Sequence, residues 1–163
     1  MNQIDELLKQ INDKNFMDIP SWKKFDLSAI DNVGFQFDRN VNGIYAIYNE
    51  EWGCLYIGKG KPIYGRLKSH YKATMGHDNS GAWNQFFKYF NKDLTAYWHE
   101  VDDHESKDVG EVRRKIIERI LQMKYNPIFD QVYITKGKQN VPDLNASLQK
   151  IKQTSCRLTR GSS

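Results

Sequence analysis

Cysteine is scarce in this chain. Cys54 and Cys156 are the only two in 163 residues, far apart and in no metal-ligand spacing. Cysteine-ligated zinc is therefore excluded, and a reducing, cytoplasmic-type compartment is expected. Long apolar runs are lacking too. None approaches the roughly 18–20 residues needed to cross a bilayer, so no membrane partner is expected. A basic-then-apolar leader pattern is missing at the N-terminus, and no internal repeat is visible. Neither charge sign dominates: 24 Lys and Arg face 20 Asp and Glu, for a net charge of +4. This mild basicity suits a nucleic-acid partner without identifying one.

What is present is enough for a core. Hydrophobic residues make up 39% of the chain and aromatic residues 13%, which rules out a disordered polymer. Ile4, Leu7, Leu8 and Ile11 recur at helical spacing and predict a helix over 3–12. Residues 21–40 carry scattered aromatics without a strong pattern. Residues 43–48 and 54–57 alternate like strands around a turn and predict an antiparallel hairpin. Ile44, Ala46 and Tyr48 share one face; Tyr45 and Ile47 share the other. Lys59-Gly60-Lys61-Pro62 then leads into a helix from about Ile63 to Ala73, with Ile63, Leu67 and Tyr71 inward.

Trp83, Phe86, Phe87 and Phe90 mark a second helix capped at Asn79 or Ser80, its aromatic stripe read as core. Leu94 to Val101 is a third strand. Asp108 and Glu111 resemble a capping box for a helix reaching Lys124, where Asn126-Pro127 stops it. Its expected apolar stripe is Val109, Val112, Ile116, Ile117, Ile120 and Leu121. A last short helix begins behind Asp143. The fold class is α+β: a small antiparallel three-stranded sheet flanked by helices. The expected division is an N-terminal helical extension over 1–41, a central domain over 42–135, and a C-terminal tail over 136–163, partly helical or frayed.

Gly43-Ile44-Tyr45 opens the first hairpin strand and Tyr56-Ile57-Gly58 closes the second. Lys59 follows directly, Arg66 lies ten residues after Tyr56, and Glu118 is followed by Pro127 at +9 and Asp130 at +12. Together these positions resemble the GIY-YIG nuclease family over about residues 42–131. The bacterial excision-repair incision subunit of that family has Asn where this chain has Asp130. The resemblance implies an endonuclease that hydrolyses DNA phosphodiesters with a divalent metal, Mg²⁺ or Mn²⁺.

It also implies roles for individual residues. Glu118 is the metal ligand, with Glu111 as the alternative. Arg66 stabilises the phosphate through a planar fork of donors. Tyr45 is the general base and Tyr56 positions phosphate or water. His70 is the alternative base, four residues beyond Arg66 on α-helical spacing, and Lys59 is the cation that assists a tyrosine. Lys59, Lys61, Arg66, Lys68 and Lys72 form the expected nucleic-acid-binding set. Asp130 either holds the helix end or adds a carboxylate near the metal. His77, His99 and His104 have no ligand spacing and are read as structural. The rival reading keeps this fold as a catalytically weak or inactive nucleic-acid-binding module.

Overall fold

The computed structural model describes residues 22–32, 34–77, 81–133 and 143–160, together with positions 6, 9 and 10; over 155–160 it describes backbone alone. Glu6, Lys9 and Gln10 are helical, and the rest of the helix expected over 3–12 lies outside the described residues. So do the expected caps Asn79 and Ser80 and the start of the tail at 136–142.

Four antiparallel strands form the sheet: β1 (Lys23–Asp26), β2 (Gly43–Asn49), β3 (Gly53–Gly60) and β4 (Leu94–Glu100), in the order β1-β4-β2-β3. The expectation of three strands is corrected by β1. Its sequence, Lys-Lys-Phe-Asp, has no alternating pattern, and pairing with β4 supplies what propensity does not. Between β3 and β4 run α1 (Ile63–Thr74) and α2 (Ala82–Tyr89), and after β4 come α3 (Lys107–Tyr125), α4 (Ile128–Tyr133) and α5 (Leu144–Arg160). No helix among the described residues is long and apolar enough to cross a membrane.

Strand alternation divides the core as the sequence pattern requires. Tyr45, Ile47 and Leu55 join Ile63, Leu67, Phe86 and Phe87 on the face covered by α1 and α2. Ile44, Ala46 and Ile57 meet Trp22, Ile117 and Leu121 on the face covered by α3. Gly43 is required where β2 runs beside β4, because a β-carbon there would collide with the His99 carbonyl.

Two expectations for α3 are corrected. Its cap is Ser106, whose side chain accepts from the Val109 amide at 3.1 Å; Asp108 lies inside the first turn. The buried side is Gly110, Arg114, Ile117 and Leu121, whereas Val109, Val112 and Ile116 are exposed. Asn126 ends α3 in the left-handed conformation, as the Asn-Pro pair suggested. Asp143 accepts from the Ala146 amide at 2.9 Å and caps α5, which is longer than expected.

Candidate functional site at the edge of the sheet

β3 is the edge strand, and the two motif tyrosines reach the α1 face beside it. Tyr45 lies opposite Gly58 in register, and Tyr56 opposite Ile47, so both rings share one side. The rings stack with centroids 6.1 Å apart. Gly58 makes this possible: a β-carbon would lie 2.7 Å from the Tyr45 hydroxyl and 2.8 Å from the Tyr56 ring. The final glycine of the second motif is thus a space requirement set by both phenols.

His70 comes down from α1, on the same stripe as Ile63 and Leu67. Its Nε2 shares a 2.8 Å hydrogen bond with Tyr45 Oη. Trp83 and Phe87 enclose the imidazole, at ring separations of 3.9 and 4.5 Å, and it has no solvent exposure. Burial, helped by the charge of Arg66, holds its pKa well below the usual histidine value. The ring is therefore neutral.

Nδ1 is buried and has no partner among the described residues. A bare lone pair is tolerated there better than an N–H without an acceptor, which favours the proton on Nε2. His70 then donates to Tyr45, and Tyr45 donates in turn to Tyr56. Trp83 also donates to Tyr56. The chain of donors ends on the half-buried Tyr56, whereas Tyr45 is only 1% exposed. Burial raises both phenol pKa values above the ordinary tyrosine value, Tyr45 the more strongly, and Arg66 opposes the rise in both. Arg66 itself is exposed on α1, with no carboxylate partner among the described residues.

On the other side, α3 clasps the edge of β3. Gln122 Nε2 donates to the Ile57 carbonyl at 3.2 Å, and the Lys59 amide donates to Glu118. These contacts satisfy strand groups that otherwise lie unpaired at a sheet edge. Glu118 is half-buried, and its pKa is raised: burial is the largest cause, Lys59 opposes it, and Asp130 and Glu111 add to it. Its charge is felt by both Tyr45 and Tyr56.

The Lys59 ammonium points elsewhere. Lys59 pairs with Ile44, not with Tyr45, so its side chain belongs to the α3 face. There Nζ contacts Glu111 Oε1 at 2.6 Å. Glu111 Oε2 meets Arg114 Nη2 at 3.3 Å, Arg114 Nη1 meets Asp103 Oδ1 at 2.7 Å, and Asp103 Oδ2 meets Lys61 Nζ at 3.3 Å. Arg114 is fully buried and also donates to the Val101 carbonyl at 2.9 Å. Hydrogen bonds from Arg114 to Asp103 and from Lys59 to Glu111 hold both carboxyl groups below the usual range.

A divalent cation fits Glu118 on chemical grounds. The carboxylate is half-desolvated, has acidic neighbours, and is in no side-chain ion pair among the described residues. No group of three or more His, Cys, Asp or Glu that could hold a metal occurs among the described residues. A cation held there would take one carboxylate from Glu118 and fill its remaining positions with water or substrate oxygens.

The family pattern for the GIY-YIG catalytic domain matches residues 41–129. The chain belongs to the GIY-YIG family. No curated protein matches it at a significant level. Membership brings nuclease chemistry at the level of the family and a nucleic-acid substrate with it.

Of the residues expected from the GIY-YIG motifs, Tyr45, Tyr56, Arg66, His70 and Glu118 fall within one electrostatic cluster. Lys59 reaches it through its charge and its backbone amide, while its ammonium contacts Glu111. Lys61 is held by Asp103, Lys68 lies over the Tyr64 ring, and Lys72 is exposed in the last turn of α1. Asp130, on α4, is close enough to Glu118 to raise its pKa. Sequence reading missed Trp83, Gln122 and Arg114. Gln122 lies four residues after Glu118, a helical neighbour that could have been flagged. Nothing in the pattern marked Arg114 as buried.

Proposed function

We propose that this chain is a metal-dependent endonuclease hydrolysing DNA phosphodiesters by direct attack of water on phosphorus. The observation that carries the reading is the convergence of Tyr45, Tyr56, Arg66 and Glu118 from four separate elements, β2, β3, α1 and α3, beside β3. Glu118 would hold a Mg²⁺ or Mn²⁺ ion, which supplies charge stabilisation at phosphate and leaving oxygen when bound. Arg66 has no carboxylate partner among the described residues and offers its fork of donors to a phosphate.

The base is the coupled phenol pair. Tyr56, as the half-exposed end, meets the attacking water; Tyr45 and Trp83 donate to its oxygen and stabilise negative charge there. His70 is too deeply buried to meet that water itself and acts by fixing Tyr45. Lys59 and Glu111 set the position of the strand edge, and Asp130 adds negative charge beside Glu118.

The test is cleavage of supercoiled plasmid and of branched, single-stranded and duplex oligonucleotides with Mg²⁺ or Mn²⁺, against EDTA and Glu118→Ala. Metal-dependent products absent from the variant are expected. Products that persist in Glu118→Ala would remove the proposed site. Salt-dependent binding without cutting would favour the non-catalytic binding module, for which the added charge of Asp130 is the supporting observation.

A further inference from the structure

Beside the site, the same sheet face continues away from β3. Gly58, Tyr45, Trp98 and Lys23 lie in one register row across β3, β2, β4 and β1. Trp98 is half-buried, with Lys23 Nζ 5.0 Å from its ring centroid. Phe37, from the segment before the first motif, packs edge-on to Trp98 at 4.8 Å and continues to Tyr64 at 6.2 Å. Tyr64, in the first turn of α1, carries Arg39 at 4.9 Å and Lys68 at 5.7 Å from its ring.

These three half-buried rings contact one another in series, with Lys23 over Trp98 and Arg39 and Lys68 over Tyr64. None of the three cations has a carboxylate partner among the described residues. That contrasts with Lys59, Lys61, Arg113 and Lys152, each of which does. Asp38, the nearest acid in sequence to Arg39, is turned to the Asn40 amide at 2.9 Å. Cations held on rings keep their charge available, and partly exposed rings offer stacking surfaces that duplex phosphates do not use.

We propose that Trp98, Phe37 and Tyr64, with Lys23, Arg39 and Lys68, form a track for one unpaired nucleic-acid strand leading to the tyrosine site. The cations take phosphates, and the rings take bases. This deepens the nuclease reading and rests on it for the direction of the strand, but the track itself is a binding property. It implies that the substrate is single-stranded, frayed or branched on that side of the cut.

The experiment uses the full chain carrying Glu118→Ala, so that binding is read without cutting. Anisotropy of a short fluorescein-labelled oligothymidylate and of a matched duplex is followed against salt. Lys23→Ala/Arg39→Ala/Lys68→Ala should weaken single-strand binding about tenfold or more and lower its log–log salt slope by about 2, from roughly 0.7 for each of three phosphates. Tyr64→Leu should weaken it about tenfold while leaving the slope unchanged. Duplex binding should change less in both. Melting temperatures show that the variants remain folded.

Unchanged single-strand affinity in the triple variant overturns the proposal. So does an equal loss for duplex combined with no effect of Tyr64→Leu. The two readings fail separately. Loss of binding by these variants in a protein that never cuts leaves the track and removes the nuclease. Glu118-dependent cutting with no effect of the track variants does the reverse.

Discussion

On the α3 side of the sheet, Lys61, Asp103, Arg114, Glu111 and Lys59 alternate in sign, and every member touches an opposite charge. On the α1 side, Tyr45, Tyr56 and His70 lie among aromatic rings, with one another and Trp83 as their main polar company. The first arrangement holds its charges in place by mutual satisfaction. The second leaves hydroxyl groups desolvated and their titration displaced, as sites that perform proton transfer commonly are. Glu118 stands between the two. It takes a main-chain amide from β3, feels the Lys59 charge, and forms no side-chain ion pair among the described residues.

The sharpest way to break this contrast is at Glu118. Glu118→Ala should abolish cutting and retain DNA binding. Glu118→Gln should do the same while raising the melting temperature. The sign follows from its raised pKa: stability from such a group is present below the unfolded value and lost as pH rises through the folded one, so its charge is a cost near neutrality. The amide analogue removes that cost and still accepts from Lys59. A lower melting temperature for Glu118→Gln would show that the carboxylate is structural.

Next comes Arg66. Arg66→Ala should cost about a hundredfold or more in rate, and Arg66→Lys should not restore it, because lysine lacks the planar fork. Near wild-type turnover in either would take Arg66 out of the reaction. The tyrosine pair predicts a pH dependence as well. With both phenol pKa values raised, kcat/KM under saturating Mg²⁺ should climb about tenfold per unit through the neutral range without a plateau near the histidine pKa. A plateau already reached below the ordinary histidine pKa would instead make His70 the base. Tyr56→Phe should lose more activity than Tyr45→Phe, since it removes the outward hydroxyl.

The α3 face should answer in stability. Arg114→Met should destabilise by about 3 kcal/mol, at the low end for a broken buried pair because the carboxylates left behind reach solvent. Asp103 and Glu111 have depressed pKa values, so their contribution is present above the ordinary carboxylate pKa and lost as pH falls through their lowered ones. Acid unfolding of Arg114→Met should accordingly lose part of its pH dependence. The smallest effect is expected at Ile116, where Ile116→Lys should change stability by within about 0.5 kcal/mol, against about 2–5 kcal/mol for Ile117→Ala next door.

That last pair shows where sequence reading held and where it did not. The hairpin faces were legible because alternation in β2 is strict, and Tyr45 and Ile44 fell on opposite sides as expected. The same rule also carried the placement of Lys59 on the α3 face, one residue beyond Gly58. The motif order drew attention away from it. His70 sits at i+3 from Leu67 and i+7 from Ile63, so its burial was readable too.

The α3 stripe was readable only in part: Ile117, Ile120 and Leu121 pack on the sheet as expected, but a wheel counts every isoleucine as inward and arginine as outward. Here Asp103, Glu111 and the Val101 carbonyl give Arg114 enough partners to lie inside, and the helix turns accordingly. Glu111 matched a capping box locally, but Lys59, 52 residues earlier, claimed its carboxylate. β1 depends on β4 and has no signature of its own. Local pattern located the chemistry; contacts distant in sequence decided how each charge is used.

The bond from the Lys59 amide to Glu118 makes one backbone proton a reporter for the site. While the carboxylate rests on the strand, that proton is shielded from exchange with deuterated solvent. A cation bound at Glu118 would compete for that carboxylate and expose the amide to exchange, while Gln122 still holds the Ile57 carbonyl. An isotope label at a single amide would therefore register the loading of the centre before any bond in a nucleic acid is cut.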